Sequence, residues 1–163
     1  MAMNNTDVDR ILQDCDAELT SIGNAMSNSS FAPINQYLTM YALIKSCSTV
    51  ERGYKKIVAD YYKLRCPDVA SYLENKVMNS STNPTYESIC KLIKDFNDQA
   101  EATFKQNMQA LANYNKIVAQ LGSLVTNRNN FAHGQTVTCS FTDIVDYYTC
   151  AKEVLICMDN IIR

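Results

Sequence analysis

YNKIVAQLGSLVTNRNNFAHG, the stretch from Tyr114 to Gly134, carries the clearest helical pattern of the chain. Its apolar residues recur at every third or fourth position, which is the period of an amphipathic α-helix. These residues are Tyr114, Ile117, Val118, Leu121, Leu124 and Val125. Gly134 is a natural terminator of such a helix. The stretch therefore predicts a helix over residues 113–132.

Two residues near the end of this helix are candidates for chemistry. Arg128 continues the apolar stripe at helical spacing, and a buried guanidinium is costly unless an anionic group meets it. We therefore expect Arg128 at a helix interface or cleft. His133, five residues later, is the only histidine of the chain and the sole candidate for imidazole proton transfer near neutral pH. The alternative is that both residues offset the negative end of the helix dipole, and chance also produces this spacing.

Composition narrows the class of protein. A chain of 163 residues is most simply one domain over residues 1–163, and its formal charge of −2 argues against binding nucleic acid by bulk electrostatics. Seven cysteines without a C-x-x-C pair predict free thiols in a reducing, cytoplasmic setting. One histidine without a ligand cluster predicts no metal site. No signal peptide or membrane-spanning segment is expected.

Helical periodicity extends over most of the chain, which has only four glycines and three prolines. Polar loops are expected at residues 27–30 and 79–83, and residues 97–112 suggest a weakly amphipathic continuation of helix. Besides residues 113–132, the predicted helices are Asp7–Met26, Pro33–Leu64, Pro67–Met78, one after Pro84, and a final one opened by a capping box of Ser140 and Asp143. With no convincing strand, the fold class is an all-α bundle of about five to six helices.

The long second helix has an interrupted apolar side. The residues predicted to face inward are Tyr37, Tyr41, Ile44, Tyr54, Ile57, Val58, Tyr61 and Leu64. Residues 46–53 between them are polar, which predicts a kink or a functional cleft. A basic set on one face of the same helix either guides RNA or is an ordinary solvated surface, the commoner case. It consists of Lys45, Arg52, Lys56 and Lys63.

A bundle whose penultimate helix ends in Arg-polar-x-x-x-His, with one more helix after it, resembles the HEPN superfamily. The ending Arg128-Asn129-Asn130-Phe131-Ala132-His133-Gly134 is most similar to the bacterial RiboL-PSP type, with its Arg-Asn-x-x-Ala-His-Gly pattern. The architectural resemblance covers nearly the whole chain, whereas the motif covers residues 128–134. The resemblance to this family implies an endoribonuclease that needs no metal or cofactor. It also implies a homodimer in which arginine and histidine face each other across the interface.

By that resemblance, Arg128 and His133 are the catalytic residues and Asn129 is a substrate-positioning residue. The implied reaction is attack of a ribose 2′-OH on the adjacent phosphate, which leaves a 2′,3′-cyclic end. Imidazole suits the general base or acid, and the planar guanidinium fork matches phosphate oxygens. Five residues of continuous helix rotate the side chain by about 140°. Either the helix ends before His133, or the two residues meet between two subunits.

Glu51, in the polar part of the second helix, has two interpretations. Related HEPN chains often carry an acidic residue in this helix, which implies a supporting or substrate-positioning role. Alternatively, Glu51 is an exposed residue paired with Lys55 one turn later, which is the commoner arrangement.

The implied biological setting is toxin–antitoxin function or phage defence, with RNA as substrate. An antitoxin or another neighbouring-gene protein is the implied regulatory partner. Family toxins controlled by a nucleotidyltransferase antitoxin often carry a modified tyrosine two residues after the histidine. Gln135 occupies that position, so this control is not expected. Two alternatives remain open: a catalytically silent HEPN dimer that acts as an RNA-binding or protein-interaction module, and an unrelated bundle with a chance motif.

Overall fold

The computed structural model describes residues 3–28 and 31–162. Within these ranges the chain contains seven α-helices and no strand, which confirms the all-α prediction. The helices are α1 (Thr6–Ser27), α2 (Ala32–Arg65), α3 (Ala70–Tyr72), α4 (Tyr86–Phe96), α5 (Asp98–Gln109), α6 (Tyr114–Ala132) and α7 (Phe141–Ile161). None of the helices in these ranges is both long enough and apolar enough to cross a bilayer.

Four helices begin at a residue whose side chain accepts a hydrogen bond from the first turn. Asn5, Thr85, Asn97 and Ser140 cap α1, α4, α5 and α7 in this way. Such caps satisfy backbone N–H groups that the helix itself leaves without partners. At α7 the Asp143 side chain also accepts from the Ser140 N–H group, so the predicted capping box is confirmed.

The central helix is α2, which packs against α1, α6 and α7. Contacts between α1 and α7 show that these two helices run antiparallel. The Asn5 N–H at the start of α1 donates to Asp159 near the end of α7 at 3.1 Å, and the Tyr148 hydroxyl donates to the Leu12 carbonyl at 3.1 Å. The fully buried residues that fill the space between the helices include Leu43, Tyr54, Ile57, Phe104, Leu121, Leu124, Tyr148 and Leu155.

The inward face predicted for the first half of α2 is wrong. Tyr37 is 76 % exposed, and Tyr41 and Ile44 are also exposed, as is Leu64 at the far end. The buried face consists instead mostly of small residues, and at Gly53 the Leu155 side chain of α7 packs directly against the α2 backbone. This face includes Ala42, Leu43, Ser46, Cys47, Val50 and Gly53. Within the predicted polar interruption at residues 46–53, one side of the helix is therefore buried in the core, and the other side lines a surface cleft with Ser48, Glu51 and Arg52.

Two other segments differ from the predicted helices. The segment expected as one helix from Pro67 to Met78 combines a 3-10 turn (Pro67–Val69), α3 and a π-helical stretch (Leu73–Met78). Residues 97–112 do not simply continue α4, because the extended backbone of Asn97 ends that helix and its side chain starts α5. Ser27 ends α1, and residues 29 and 30 of the loop expected there lie outside the described residues.

The end of α6 is fixed by two hydrogen bonds beyond the last turn. The Gly134 N–H donates to the Phe131 carbonyl at 3.1 Å, and the Gln135 N–H donates to the Asn130 carbonyl at 2.7 Å. Gly134 has a φ of 69°, in the left-handed region. This is the Schellman arrangement, in which glycine is favoured because it has no Cβ to clash. His133 is the C-cap residue immediately before it.

We predict that Gly134→Ala lowers the free energy of unfolding by about 1 kcal/mol, because alanine is strained at a positive φ. Gly122 is the matched control, since it lies inside the same helix and an added Cβ meets nothing within 4 Å. Gly122→Ala is expected to raise the free energy of unfolding by about 0.5–1 kcal/mol through helix propensity. Urea unfolding followed by circular dichroism measures both changes. Equal effects of the two substitutions would contradict the assigned helix end.

Candidate functional site

Arg128 lies on the side of α6 that faces α2. Its Nη2 donates to the Asn83 Oδ1 at 2.7 Å and lies 3.8 Å from the Glu51 Oε2. The Arg128 side chain is 27 % exposed, so it is half-buried. No basic residue lies in the last turn of α6, so Arg128 does not offset the helix dipole there. The guanidinium instead has the anionic partner that a charge at a helix interface requires.

Glu51 connects the Arg128 guanidinium to two further groups. Its Oε1 accepts from the Lys55 Nζ at 2.6 Å and from the Thr82 N–H at 3.3 Å. The predicted pairing with Lys55 is therefore present, but the Glu51 side chain is only 22 % exposed rather than solvated. Lys55 is buried, so its ammonium depends on Glu51 and on the Ser80 carbonyl to which it also donates.

The loop of residues 79–83 is held against α2 by these side chains. Lys55 and Glu51 bind the backbone of Ser80 and Thr82, and the Tyr54 hydroxyl lies 3.4 Å from the Thr82 carbonyl. The loop therefore carries Asn83 to Arg128 although the two residues are 45 positions apart. Sequence reasoning identified this loop only as polar and missed Asn83. The available signal was an asparagine directly before a proline, which restricts its backbone to extended conformations.

Two neutral groups complete the surroundings of Arg128 and Glu51. Burial raises the pKa of the Cys47 thiol, although the adjacent Arg128 guanidinium acts in the opposite direction. Burial and the nearby Glu51 carboxylate raise the pKa of the Tyr54 phenol. Both groups therefore stay uncharged at neutral pH. The cluster of Arg128, Lys55 and Glu51 then has two positive charges and one negative charge, a local excess that attracts anions.

A surface cleft of about 320 Å³ adjoins this cluster. It is open to solvent beside Glu51 and is lined by residues of α2, the π-helical stretch and the loop. These are Ser48, Glu51, Arg52, Lys55, Glu74, Met78, Asn79 and Ser80. Within residues 3–28 and 31–162, no three histidine, cysteine or acidic side chains come together in a way that would hold a metal ion.

His133 does not join this cluster within one chain. Its imidazole is exposed and has no hydrogen-bond or ion-pair partner in the described part of the chain. Helical hydrogen bonding continues as far as His133, because its N–H donates to the Asn129 carbonyl at 3.0 Å. The α-helix itself ends at Ala132, but this bond carries its last turn as far as the C-cap residue His133. Over these five residues, an α-helix rotates the two side chains apart by about 140°.

Asn129 follows Arg128 and lies closer to the exposed side of α6. It is half-buried, and its side chain makes no hydrogen bond with the described residues. Its amide remains available to a ligand, and its role as a substrate-positioning residue stays a prediction. The geometry thus brings together Arg128 and Glu51, and leaves Asn129 and His133 outside that cluster.

Two of the four residues of the basic face predicted on α2, Lys45 and Lys56, are paired with carboxylates, whereas Arg52 and Lys63 are exposed and form no ion pair within the described residues. Lys45 pairs with Glu18, and Lys56 lies 3.1 Å from Asp7 and 2.9 Å from Asp60. Such intramolecular pairs leave little charge for a phosphate backbone. The solvated-surface interpretation therefore accounts for this face better than RNA guidance does.

We predict that Glu51→Gln lowers the free energy of unfolding by about 2 kcal/mol, because two neighbouring cations lose their anion and one of them is buried. Asp95→Asn is the matched control, since Asp95 forms a lysine pair at the same helical spacing but on the exposed surface. Its expected effect is below about 0.5 kcal/mol. Urea unfolding of the two variants beside the parent chain measures the difference. A change as small for Glu51 as for Asp95 would mean that Glu51 does not hold the cluster together.

One known protein family matches nearly the whole length of the chain. The family model described as RiboL-PSP-HEPN matches residues 10–163, which include Glu51 and the entire 128–134 motif. Searches of curated proteins and of solved structures gave no match. The chain therefore belongs to the RiboL-PSP-HEPN family of the HEPN superfamily, which places it in general among proteins with nuclease or other RNA-related functions.

Proposed function

We propose that this chain is a single HEPN domain that cleaves RNA as a homodimer, without a metal or cofactor. The observation that carries the proposal is the contrast between Arg128 and His133. Arg128 is oriented by Asn83 and Glu51, whereas the His133 imidazole is exposed at the end of the same helix. A phosphate bound at Arg128 therefore needs an imidazole from elsewhere, and a second copy of the chain supplies one.

The residue types suit cleavage by an internal ribose hydroxyl. His133 removes the proton of the 2′-OH, and the 2′ oxygen bonds to phosphorus. The bond from phosphorus to the 5′ oxygen breaks, and this oxygen takes up a proton from solvent water to become a 5′-OH, while the protonated His133 returns its proton to the solvent. The products are a 2′,3′-cyclic phosphate and the 5′-OH end. Arg128 neutralises the charge that grows on the phosphate oxygens, and Asn129 orients the substrate by hydrogen bonding.

An unusual uncharged surface supports self-association. Residues 19–44 contain no charged side chain, and the Glu18–Lys45 ion pair closes this part of the α1–α2 hairpin. Ile34, Tyr37, Tyr41 and Ile44 lie exposed at helical spacing along α2. Interface cores are depleted in charge and enriched in aromatic residues, and an uncharged face does not repel its own copy.

This exposed face continues toward the candidate site. Ser48, the next residue at the same helical spacing after Ile44, lines the cleft beside Glu51. Phe131 is also exposed, one turn beyond Arg128 on α6. A second copy docked on the α2 face therefore lies next to the Arg128 cluster. This position fits an interface to which both chains contribute site residues.

The cellular setting is part of the proposal. All seven cysteines are free thiols, and five of them are buried, which suits a reducing compartment such as the cytoplasm. We place the activity in toxin–antitoxin function or phage defence, where a neighbouring-gene protein restrains it.

A second candidate function is a catalytically silent HEPN dimer that acts as a protein-interaction module. The pairing of Lys45 and Lys56 with carboxylates favours it, since it reduces the positive charge of the α2 basic face that could follow an RNA backbone. The uncharged aromatic face also suits a protein partner. This candidate differs from the first in predicting no RNA cleavage.

We predict RNA cleavage in excess chelator by the parent chain, and a loss of at least about 100-fold in Arg128→Ala and in His133→Ala. Mixing the two inactive variants should restore part of the activity. Each mixed dimer has one site with an intact arginine from one chain and an intact histidine from the other. Gel separation of labelled single-stranded and structured RNA, with end-group analysis for the cyclic phosphate, measures the cleavage.

These cleavage assays distinguish a nuclease with a site shared between two chains from a contaminant and from a silent interaction module. Activity that survives both single substitutions would come from a contaminant and would remove the enzyme proposal. Two inactive variants that stay inactive after mixing and refolding together would argue against a site shared between chains. A parent chain that cuts none of these RNAs would favour the interaction module.

We predict that Tyr37→Glu converts the dimer to a monomer at micromolar concentration, because it places charge in the uncharged face. Leu64→Glu is the matched control, since Leu64 is 82 % exposed and lies near the opposite end of the same helix. The control should remain dimeric. Sedimentation velocity gives the masses, and circular dichroism verifies that both variants are folded. A dimeric Tyr37→Glu variant would exclude this face as the interface.

A further inference from the structure

We infer that Asn83 belongs to the phosphate-binding site: its amide oxygen fixes the Arg128 guanidinium, and its amide nitrogen donates to the same phosphate. The inference deepens the proposed function, since it names a substrate-binding residue of that site. Asn83 lies outside both the 128–134 motif and α2.

The orientation of the Asn83 amide follows from its partner. A guanidinium has only donors, so the group 2.7 Å from the Arg128 Nη2 must be the Asn83 carbonyl oxygen. The amide NH₂ group then points away from that contact with two donor hydrogens. In the described part of the chain it has no hydrogen-bond partner. Asn83 is half-buried, so this donor group is accessible to a ligand.

The backbone around Asn83 holds the side chain in one direction. The Thr85 N–H donates to the Asn83 carbonyl at 2.8 Å, and Pro84 restricts the preceding residue to extended conformations. On the other side, Thr82 is bound by Glu51. Asn83 is therefore ordered before any ligand arrives, and binding does not have to immobilise it.

The combination suits a phosphate better than a carboxylate or a base edge. One Arg128 nitrogen is held by Asn83 and faces Glu51, and the Cys47 thiol also adjoins the guanidinium. The donors that these groups do not use are left for anionic oxygens. The Asn83 NH₂ group adds neutral donors beside them. Charged and neutral donors that lie side by side match the several acceptor oxygens of a phosphodiester.

Asn83→Asp separates phosphate binding from a purely structural role. Aspartate still accepts a hydrogen bond from Arg128, and as an ion pair it holds the guanidinium at least as well. It has no donor hydrogens, however, and its negative charge repels phosphate. A structural role alone predicts that Asn83→Asp behaves like the parent chain, whereas phosphate binding predicts a defect greater than that of Asn83→Ala.

The first measurement is cleavage kinetics. We expect kcat/KM to fall about tenfold in Asn83→Ala and about 100-fold in Asn83→Asp, with unchanged thermal unfolding of the latter. Ser81→Asp is the matched control, because it adds the same charge to the same loop, and Ser81 is exposed and does not line the cleft beside Glu51. The control should lose less than about threefold. Parent-like kinetics of Asn83→Asp would overturn the inference.

A second measurement does not depend on cleavage. The probe is a fully 2′-O-methylated RNA oligonucleotide, which cannot undergo 2′-OH attack, and anisotropy gives its Kd. We expect the Kd to rise about tenfold in Asn83→Asp and to change little in Ser81→Asp. In parallel, inorganic phosphate should protect Arg128 of the parent chain from phenylglyoxal, read by peptide mass spectrometry. That protection should be lost in Asn83→Asp.

The two measurements distinguish failure of the inference from failure of the proposed function. A parent chain that cuts no RNA, yet binds the methylated probe in an Asn83-dependent manner, would keep the phosphate site and lose the nuclease. Equal probe binding by the parent chain and Asn83→Asp would overturn the phosphate site even if the RNA is cut. Absence of both probe binding and phosphate protection would overturn it as well.

Discussion

A guanidinium stays protonated in a folded protein, so the charge of Arg128 has to be met wherever α6 places it. The amphipathic stripe of α6 directs that charge toward α2, and Glu51 lies 3.8 Å away to meet it. Glu51 in turn binds the buried Lys55 and the loop of residues 79–83. The same carboxylate therefore helps to hold α6 against α2 and to hold the loop in place. Loss of Glu51 removes the carboxylate that both Arg128 and Lys55 share, and this coupling links the stability of the fold to the geometry of the site.

Some of this arrangement could be predicted from the sequence, because it depends on local patterns. The period of apolar residues in 114–125 fixes the buried face of α6, and a charged residue in phase with that face implies an anionic partner. The capping box at Ser140 is local in the same sense. The contact between Asn83 and Arg128 is different, since it joins positions 45 apart through a polar loop. No pattern within the loop indicates which charged residue it meets.

The wrong prediction of the inward face of α2 has a physical cause. Tyr37, Tyr41 and Ile44 have the spacing and hydrophobicity of a core face, and those two properties do not distinguish burial inside one chain from burial between two. The true inner face uses small residues such as Ala42, Ser46 and Gly53, which a hydrophobicity pattern undervalues. An added Cβ at Gly53 would lie 2.8 Å from the Leu155 Cδ1, so close approach of α7 explains why a glycine occupies a helix interior. The residues that sequence analysis placed in the core are those now available to a partner.

The structure at the C-terminal end of α6 determines whether Arg128 and His133 of one chain can reach the same phosphate. Because Gly134 adopts its left-handed conformation only after His133, the helix carries the histidine to its exposed end, while Arg128 stays turned toward α2. Bringing the two groups to one phosphate within a chain would require unwinding the last turn, against the hydrogen bonds that close it. Association avoids that cost, because each chain offers its exposed histidine to the fixed arginine of the other. Under the proposed composite site, a monomer is inactive, and the active fraction follows the dimerisation equilibrium. A protein that covers the uncharged α2 face would then restrain cleavage without touching either catalytic group.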